Sequence, residues 1–372
     1  MDWLPAGHNG GWTYRDRVPA AQAGISATAF YALRHRHSEA AVWARRLAAG
    51  EIARNGETLR RDVPLQAGDR LAWRRPPWLE QAVPAAWAVI HDDGDLLVID
   101  KPSGLPVLPA GGWLEHTVLR LLERRHRGDP AGVPRPVHRL GRFTSGLLVC
   151  ARRPATRAWL SAALRESTAA EGSRRDAMGE MPPVGAAPEA PEARAGVVVS
   201  PDPAGEGFGS LAGISRPSLR KLYRALLVPG ALDLQPGASM TISTPIGRRP
   251  HARLGWIWCA APGCRPGDLQ ACSVLTLLER RPGCDLVQVA IGSGRPHQIR
   301  IHCASVGAPL LGDPLYRPGG LADPAALPGE GGYRLQAWRL ELQSPAGERW
   351  AWEVPRGLDG DLHDGEACRS AE

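Results

Sequence analysis

Lysine is almost missing from this chain. Of its 45 basic residues only Lys101 and Lys221 are lysines, so nearly all positive charge sits on arginine. No run of about 18 apolar residues occurs, which excludes a conventional membrane-spanning helix. The first residues, MDWLPAGHNGGW, lack the basic-then-apolar order of a secretory signal, and Asp2 speaks against an organelle transit peptide. An intracellular protein is expected, with cytoplasm, nucleus, plastid and mitochondrion undivided. There are seven cysteines, odd in number and scattered, and no CxxC pair, so neither a zinc site nor a disulfide framework is indicated. They read as reduced thiols.

The length of 372 residues allows a large core and more than one domain, and 22% charged residues is ordinary for a globular protein. The formal charge of +7 suits a polyanionic partner. The same charge, with the heavy use of Ala, Gly, Pro and Arg, also fits a GC-rich coding bias, and composition does not separate the two.

Residues 1–26 read as a peripheral segment. Residues 27–82 read as a compact module: EAAVWARRLAA, Glu39 to Ala49, has helical spacing with Arg45 and Arg46 directed outward, and Gly50 closes it. Asn55-Gly56 and Gly68-Asp69 mark turns. A second unit begins near residue 83. Its elements are a strand from Leu96 to Ile99, a helix from Thr117 to Arg125, a strand in SGLLVCARRP and a helix from about Ala155 to Arg165. Residues 166–216 are dense in Ala, Pro, Gly and Glu, with little apolar periodicity, and are expected to form a disordered insertion. From 217 to 356 strands dominate: LRKLYRALLVPG, two strands about the Pro-Gly turn in CSVLTLLERRPGCDLVQVAIG, and a final pair, with a tail at 357–372. Strands with interspersed helices and antiparallel turns predict an α+β fold with a mixed, mainly antiparallel sheet.

Four segments of the second unit carry a signature. DDGDLLVIDKPSGLPVLP, PVHRLGRFTSGLLVCAR, LRKLYRALLVPG and GSGRPHQIRIHCASVGAPLLGDPLY resemble, in order, the motifs of RluA-type pseudouridine synthases. The wording VLPAGG and HRLGR is similar to a plant- and algal-type branch. The module at 27–82 resembles the αL RNA-binding module. The resemblance implies isomerisation of uridine in RNA, in which uracil is detached from ribose, turned and rejoined through carbon, by a mostly monomeric protein needing neither metal nor cofactor.

It also implies site residues. Tyr223 would stack on uracil and help move a proton, and Arg300, in HQIRIH, would orient the catalytic carboxylate. Arg139 would help fill the place of the everted base in the RNA. Arg142, His297 and Gln298 are further substrate-binding candidates, and Arg45, Arg46 and Arg54 would meet RNA phosphates from the module. The family's HRLD carboxylate falls at position 141, and here the segment reads HRLG. Gly141 has no side chain, and its neighbours Leu140 and Arg142 offer no acid.

Loss of the nucleophile from a group acting as a unit costs on the order of a millionfold in rate. Two functions therefore stand side by side: an RNA-uridine isomerase using another acid, with Asp95, Asp100 and Asp313 nearest by motif, or a noncatalytic RNA-binding or folding factor. A buried guanidinium needs a partner, so Arg300 is expected to turn to solvent, to RNA phosphate or to another acid. His297 and His302 read as orienting or core histidines rather than metal ligands, and Gly312-Asp313 reads as a turn.

Overall fold

The structure, a computed structural model, describes residues 3–35, 38–169, 198–200, 219–252, 254–292, 294–329, 331–345 and 347–358. The second unit is built on one large sheet. Its strands run, edge to edge, Val198–Ser200, Ser239–Ile242, Ser273–Arg281, Cys284–Ile291, Leu219–Leu227, Leu335–Gln343, Thr144–Ala151, Leu96–Lys101 and Ala88–Asp92. Short strands Arg135–Pro136 and Arg349–Glu353 branch from Thr144–Ala151 and Leu335–Gln343 respectively. Every described pairing in this sheet is antiparallel except that of Thr144–Ala151 with Leu335–Gln343, which is parallel. The fold is α+β, with a mixed, mainly antiparallel sheet.

LLVI is apolar without alternation because both faces of its strand are covered. Leu97 and Ile99 pack with Val118, Leu121 and Leu122 of the helix Val118–Arg125. Leu96 and Val98 pack on the opposite face with Leu160, from the helix Pro154–Ala169, and Trp352. Thr117 caps the first helix, its hydroxyl accepting from the Arg120 amide.

The parallel junction is where the site forms. Thr144 pairs with Leu335 and Gly146 with Ala337. Gly146 has φ +99°, and a β-carbon there would stand under 3.0 Å from the Ala337 backbone, so only glycine allows this approach. On the other side of the same strand Ala337 pairs with Tyr223, at a register shift between Leu222 and Tyr223. A bulge of this kind re-aims the side chain at that position.

The N-terminal module is larger than its sequence suggests. Residues 1–26 are not peripheral: Trp12–Arg17 pairs along its length with Arg70–Arg75, in a four-stranded sheet with Ile52–Arg54 and Glu57–Thr58. Tyr14 stacks on Trp73, 4.9 Å between centroids, which holds this strand against the core. Two helices cover the sheet: Ala27–Arg34, which helical spacing does not reveal, and Ala40–Ala48. Phe30, Tyr31, Trp43, Leu47, Leu71 and Trp73 bury together between sheet and helices. Asn55-Gly56 forms the tight turn, with φ of 53° and 98°.

The expected insertion at 166–216 falls for the most part outside the described residues. Two parts of it do not: the preceding helix continues to Ala169, and Val198–Ser200 pairs with Ser239–Ile242 as an edge strand. Valine-rich VVS supplies a β-favouring stretch that the surrounding Ala/Pro/Gly composition masks. The tail beyond Leu358 also lies outside them, while Leu358 itself is buried against Leu226 and Leu286. No helix among the described residues is long and apolar enough to cross a membrane.

Candidate active site

Three distant segments line one cleft of about 920 Å³: the loop Val137 to Arg142, the strand residues Lys221 to Tyr223, and Gly294 to Arg300 at the start of the helix Gln298–Ser305. Tyr223, Arg300 and Gly141 therefore line the same cleft, as do Arg139 and His297. The lining carries Arg139, Arg142, Lys221, Arg295, Arg300 and Arg339, and among the described residues no aspartate or glutamate. A concave wall of one charge sign concentrates a polyanion.

The loop at 141 is fixed from behind by Lys101. This side chain is fully buried, and its Nζ donates to the carbonyls of Pro102 and Leu105, both at 2.8 Å, and of Arg142 at 3.0 Å. Burial pulls its pKa down to about 7, against the Asp100 charge, which favours the charged form. Gly104 donates its amide to the Arg142 carbonyl, and the Ser103 hydroxyl donates to the Phe143 carbonyl. The segment KPSG thus braces the loop, although no chemical role marks it in the sequence. The two lysines that this arginine-biased chain keeps lie behind and within one cleft, and their rarity is the signal that points there.

Arg300 is 4% exposed and forms a bidentate pair with Asp313, Nε and one terminal nitrogen each donating at 2.7 Å. Burial alone would lower its pKa, and the hydrogen bonds and charge of Asp313 reverse this and raise it. Of the three expected destinations for Arg300, another acid is the one observed. Asp313 stands in the Gly312-Asp313 turn and also accepts from the Leu315 amide, which holds it in place. Asp313 does not line the cleft, its side chain being 0% exposed, so it offers the cleft no carboxylate. Neither does Asp95, whose two oxygens accept from the Arg153 amide and the Thr156 hydroxyl at the start of the next helix. Asp100 does not line the cleft.

The space beside Gly141 is filled by a residue that no motif contains. A β-carbon at 141 would stand under 3.0 Å from the Tyr333 Oη and 3.2 Å from the Thr144 Oγ1. Those two oxygens lie 3.2 Å apart in a hydrogen bond. Tyr333 is two residues before the Leu335–Gln343 strand, so the parallel pairing at Thr144 and Leu335 delivers it to the loop. No local pattern announces such a contact, which spans 189 positions of sequence.

The other candidates divide. Arg139 is exposed on the cleft wall, where an incoming strand can reach it. Arg142, a substrate-binding candidate, is instead committed to the protein: its Nε donates to the Gly104 carbonyl and its guanidinium lies over Trp113 and Phe143. Gln298 is likewise buried and internal, donating to the Cys272 carbonyl and Ser273 hydroxyl. His297 enters the helix with φ 54°, and its Nδ1 is 2.7 Å from the Tyr316 hydroxyl. Burial and the charges of Arg300 and Arg139 push its pKa down to about 3, so it is neutral. Tyr223 has its phenol pushed up to about 12 by burial, which keeps the ring uncharged and suited to stacking.

In the module, Arg45 is exposed, but Arg46 and Arg54 are not free phosphate ligands. Arg46 lies over the rings of Trp43 and Trp73, at 4.3 and 4.4 Å, and Arg54 pairs with Asp69 at 2.7 Å. Both are drawn inward because indole faces and a buried carboxylate compete with solvent. The outward cations are elsewhere. Arg15, Arg17, Arg70 and Arg74 are exposed on the sheet, their positions alternating with the inward Tyr14, Asp16, Leu71 and Trp73. Among the described residues no group of His, Cys, Asp and Glu is arranged to hold a metal ion.

A mixed sheet with a cationic cleft at its parallel junction, and a tyrosine and an arginine lining it, is the class of arrangement the motifs imply. Residues 95–171 match the family model described as RNA pseudouridylate synthase. An uncharacterized RNA pseudouridine synthase of Synechocystis is 36% identical over 313 residues, covering 84% of this chain and 87% of that protein. RNA pseudouridine synthase 5 of Arabidopsis thaliana is 33% identical over 370 residues, covering 90% of this chain and 89% of its own. A solved structure, human RNA pseudouridylate synthase domain containing 4, is 19% identical with a TM-score of 0.45, covering 74% of this chain and 92% of that one. The chain belongs to the RNA pseudouridine synthase family. Within it the relatives are those of the RluA type, on the plant-type branch.

Proposed function

We propose that this protein isomerises uridine to pseudouridine in structured RNA, receiving one everted nucleotide in the cleft between Gly141, Tyr223 and Arg300. The observation that carries the reading is the convergence of these three segments in one cation-lined cleft of about 920 Å³. An everted nucleotide brings a phosphodiester with it, and Arg139 and Arg295 on the rim suit that charge. Tyr223 offers a neutral aromatic face for uracil. Affinity comes in addition from the module, whose outward sheet arginines Arg15, Arg17, Arg70 and Arg74 suit phosphates without reading sequence.

A second reading is favoured by one specific observation. Position 141 lacks its carboxylate and Arg300 already has a bidentate partner in Asp313, as fits an RNA-binding protein without turnover.

Mapping pseudouridine in cellular RNA incubated with the protein and with Tyr223→Phe decides between them. The isomerase reading expects product from the natural protein and a loss on the order of 100-fold or more with Tyr223→Phe. RNA binding with no product from either protein selects the second reading.

A further inference from the structure

Every RNA-uridine isomerase of this kind needs an oxygen at the sugar's anomeric region, and the cleft holds no carboxylate among its described residues. Among the described residues four hydroxyl side chains line it: Thr144, Ser161, Tyr223 and Tyr333. Of these, Tyr333 comes nearest to the volume that a side chain at 141 would enter, closer than the Thr144 hydroxyl at 3.2 Å.

The Tyr333 ring is not a loose end that happened to fall there. It is 4% exposed and packs in the core with Leu335, Ile299 and Leu310. Phe143 meets it edge-on at 6.0 Å, and the Arg300 guanidinium lies over its face at 4.2 Å. Its Oη is hydrogen-bonded to Thr144. A phenol held on these sides keeps its oxygen in one place, as a group that must meet a substrate atom requires. Arg300 is thereby shared: it pairs with Asp313 and covers the tyrosine that stands at the empty position.

We propose that Tyr333 has taken the place of the missing aspartate, its Oη being the protein oxygen that meets the ribose of the everted uridine, and that Gly141 is the room this oxygen needs. This rests on the isomerase reading of the site. Glycine at 141 and tyrosine at 333 then form one exchange: a side chain at 141 excludes the hydroxyl, and the hydroxyl excludes a side chain. Phenylalanine at 333 would relieve the closest conflict, because the ring carbon beneath the hydroxyl is 3.5 Å from a β-carbon at 141, and only the Thr144 hydroxyl, at 3.2 Å, would have to shift slightly. In this step the Oη bonds to the anomeric carbon as that carbon's bond to uracil nitrogen breaks, and the phenol proton passes to the departing uracil. Carbon 5 of the turned uracil then bonds to the anomeric carbon as the Oη bond breaks, and the proton lost from carbon 5 returns to the phenolate.

The test measures single-turnover pseudouridine formation and RNA affinity for the natural protein, Tyr333→Phe, Gly141→Asp and Gly141→Asp/Tyr333→Phe. The expected result is a loss on the order of 100-fold in turnover for Tyr333→Phe, with RNA affinity and melting temperature held. Gly141→Asp alone is expected to give no gain, while the double variant rises well above Tyr333→Phe. A structural role for the hydroxyl would move affinity or melting and would not be rescued by a carboxylate across the cleft. Natural turnover from Tyr333→Phe, or equal gain from Gly141→Asp alone and the double variant, overturns the proposal while leaving the isomerase reading in place. Product from the double variant but none from the natural protein makes Tyr333 a plug and overturns both. No product from any of the four, with RNA bound, is failure of the isomerase reading itself.

Discussion

Lys101 and Asp313 each hold a piece of the site without touching the cleft's contents. The Lys101 Nζ ties the carbonyls of Pro102, Leu105 and Arg142 to one point, so Lys101→Met removes these hydrogen bonds and leaves the carbonyls short of a donor. A loss of about 1–3 kcal/mol is expected in urea unfolding. An unchanged midpoint would show that the lysine is idle. Asp313→Asn strips one charge from a pair whose side chains are 5% and 0% exposed, leaving a buried guanidinium without its counter-charge. About 3–5 kcal/mol is expected to go with it. Both members of that pair are visible in the sequence, Arg300 as a motif residue and Asp313 as a turn residue. Their pairing is not, because the motif pattern points Arg300 at a carboxylate that this chain does not have.

At the scale of elements, strands and helices with unambiguous periodicity can be read directly. TVLRLLERR gives a capped helix at Val118–Arg125, and the Pro-Gly turn gives the hairpin of Ser273–Arg281 with Cys284–Ile291. What escapes is any element defined by its partner. Trp12–Arg17 is a strand because Arg70–Arg75 lies beside it, far along the chain, and nothing within WTYRDR requires that. The helices Ala27–Arg34 and Gln298–Ser305 are short, and the second is buried nearly all round, which erases the polar face that marks a surface helix. The module's arginines show the same limit. Helical spacing sends Arg46 outward, yet two indole rings hold it. Two sets of arginines should therefore behave differently. Replacing Arg15, Arg17, Arg70 and Arg74 together with glutamine should flatten the dependence of log affinity on log salt by about 3, at roughly 0.7 for each phosphate no longer neutralised. Arg46→Ala should lower the module's stability and leave that slope alone. Fluorescence anisotropy with labelled RNA across a salt series reads both, and an Arg46→Ala slope as flat as that of the fourfold variant would contradict the assignment.

For the whole molecule, acid is the informative variable. His302 is fully buried, its Nδ1 2.9 Å from the Ser273 hydroxyl and its Nε2 2.9 Å from the Thr244 carbonyl. Nε2–H donates to the carbonyl and Nδ1 accepts from the hydroxyl, so a second proton has no place, and burial pushes the pKa down to about 4. The unfolded chain takes up that proton near the ordinary value of about 6.5. Between these values the unfolded state binds more protons, so stability falls as pH drops, by about 1.4 kcal/mol per pH unit for this one group. His297 acts in the same direction. Urea unfolding between pH 7 and pH 5 should show this slope, reduced in His302→Gln, whereas equal slopes would remove His302 from the explanation.

The proposed function rests on one arrangement, in which a sheet's parallel junction gathers a loop, a tyrosine and a guanidinium around one cleft. A structure of the protein bound to a uridine-containing RNA hairpin tests it most directly. The expected complex has the everted base against the Tyr223 ring, its ribose facing the Gly141 loop and its phosphates at Arg139. RNA seated elsewhere, with the base still stacked in its helix and the cleft vacant, would contradict it.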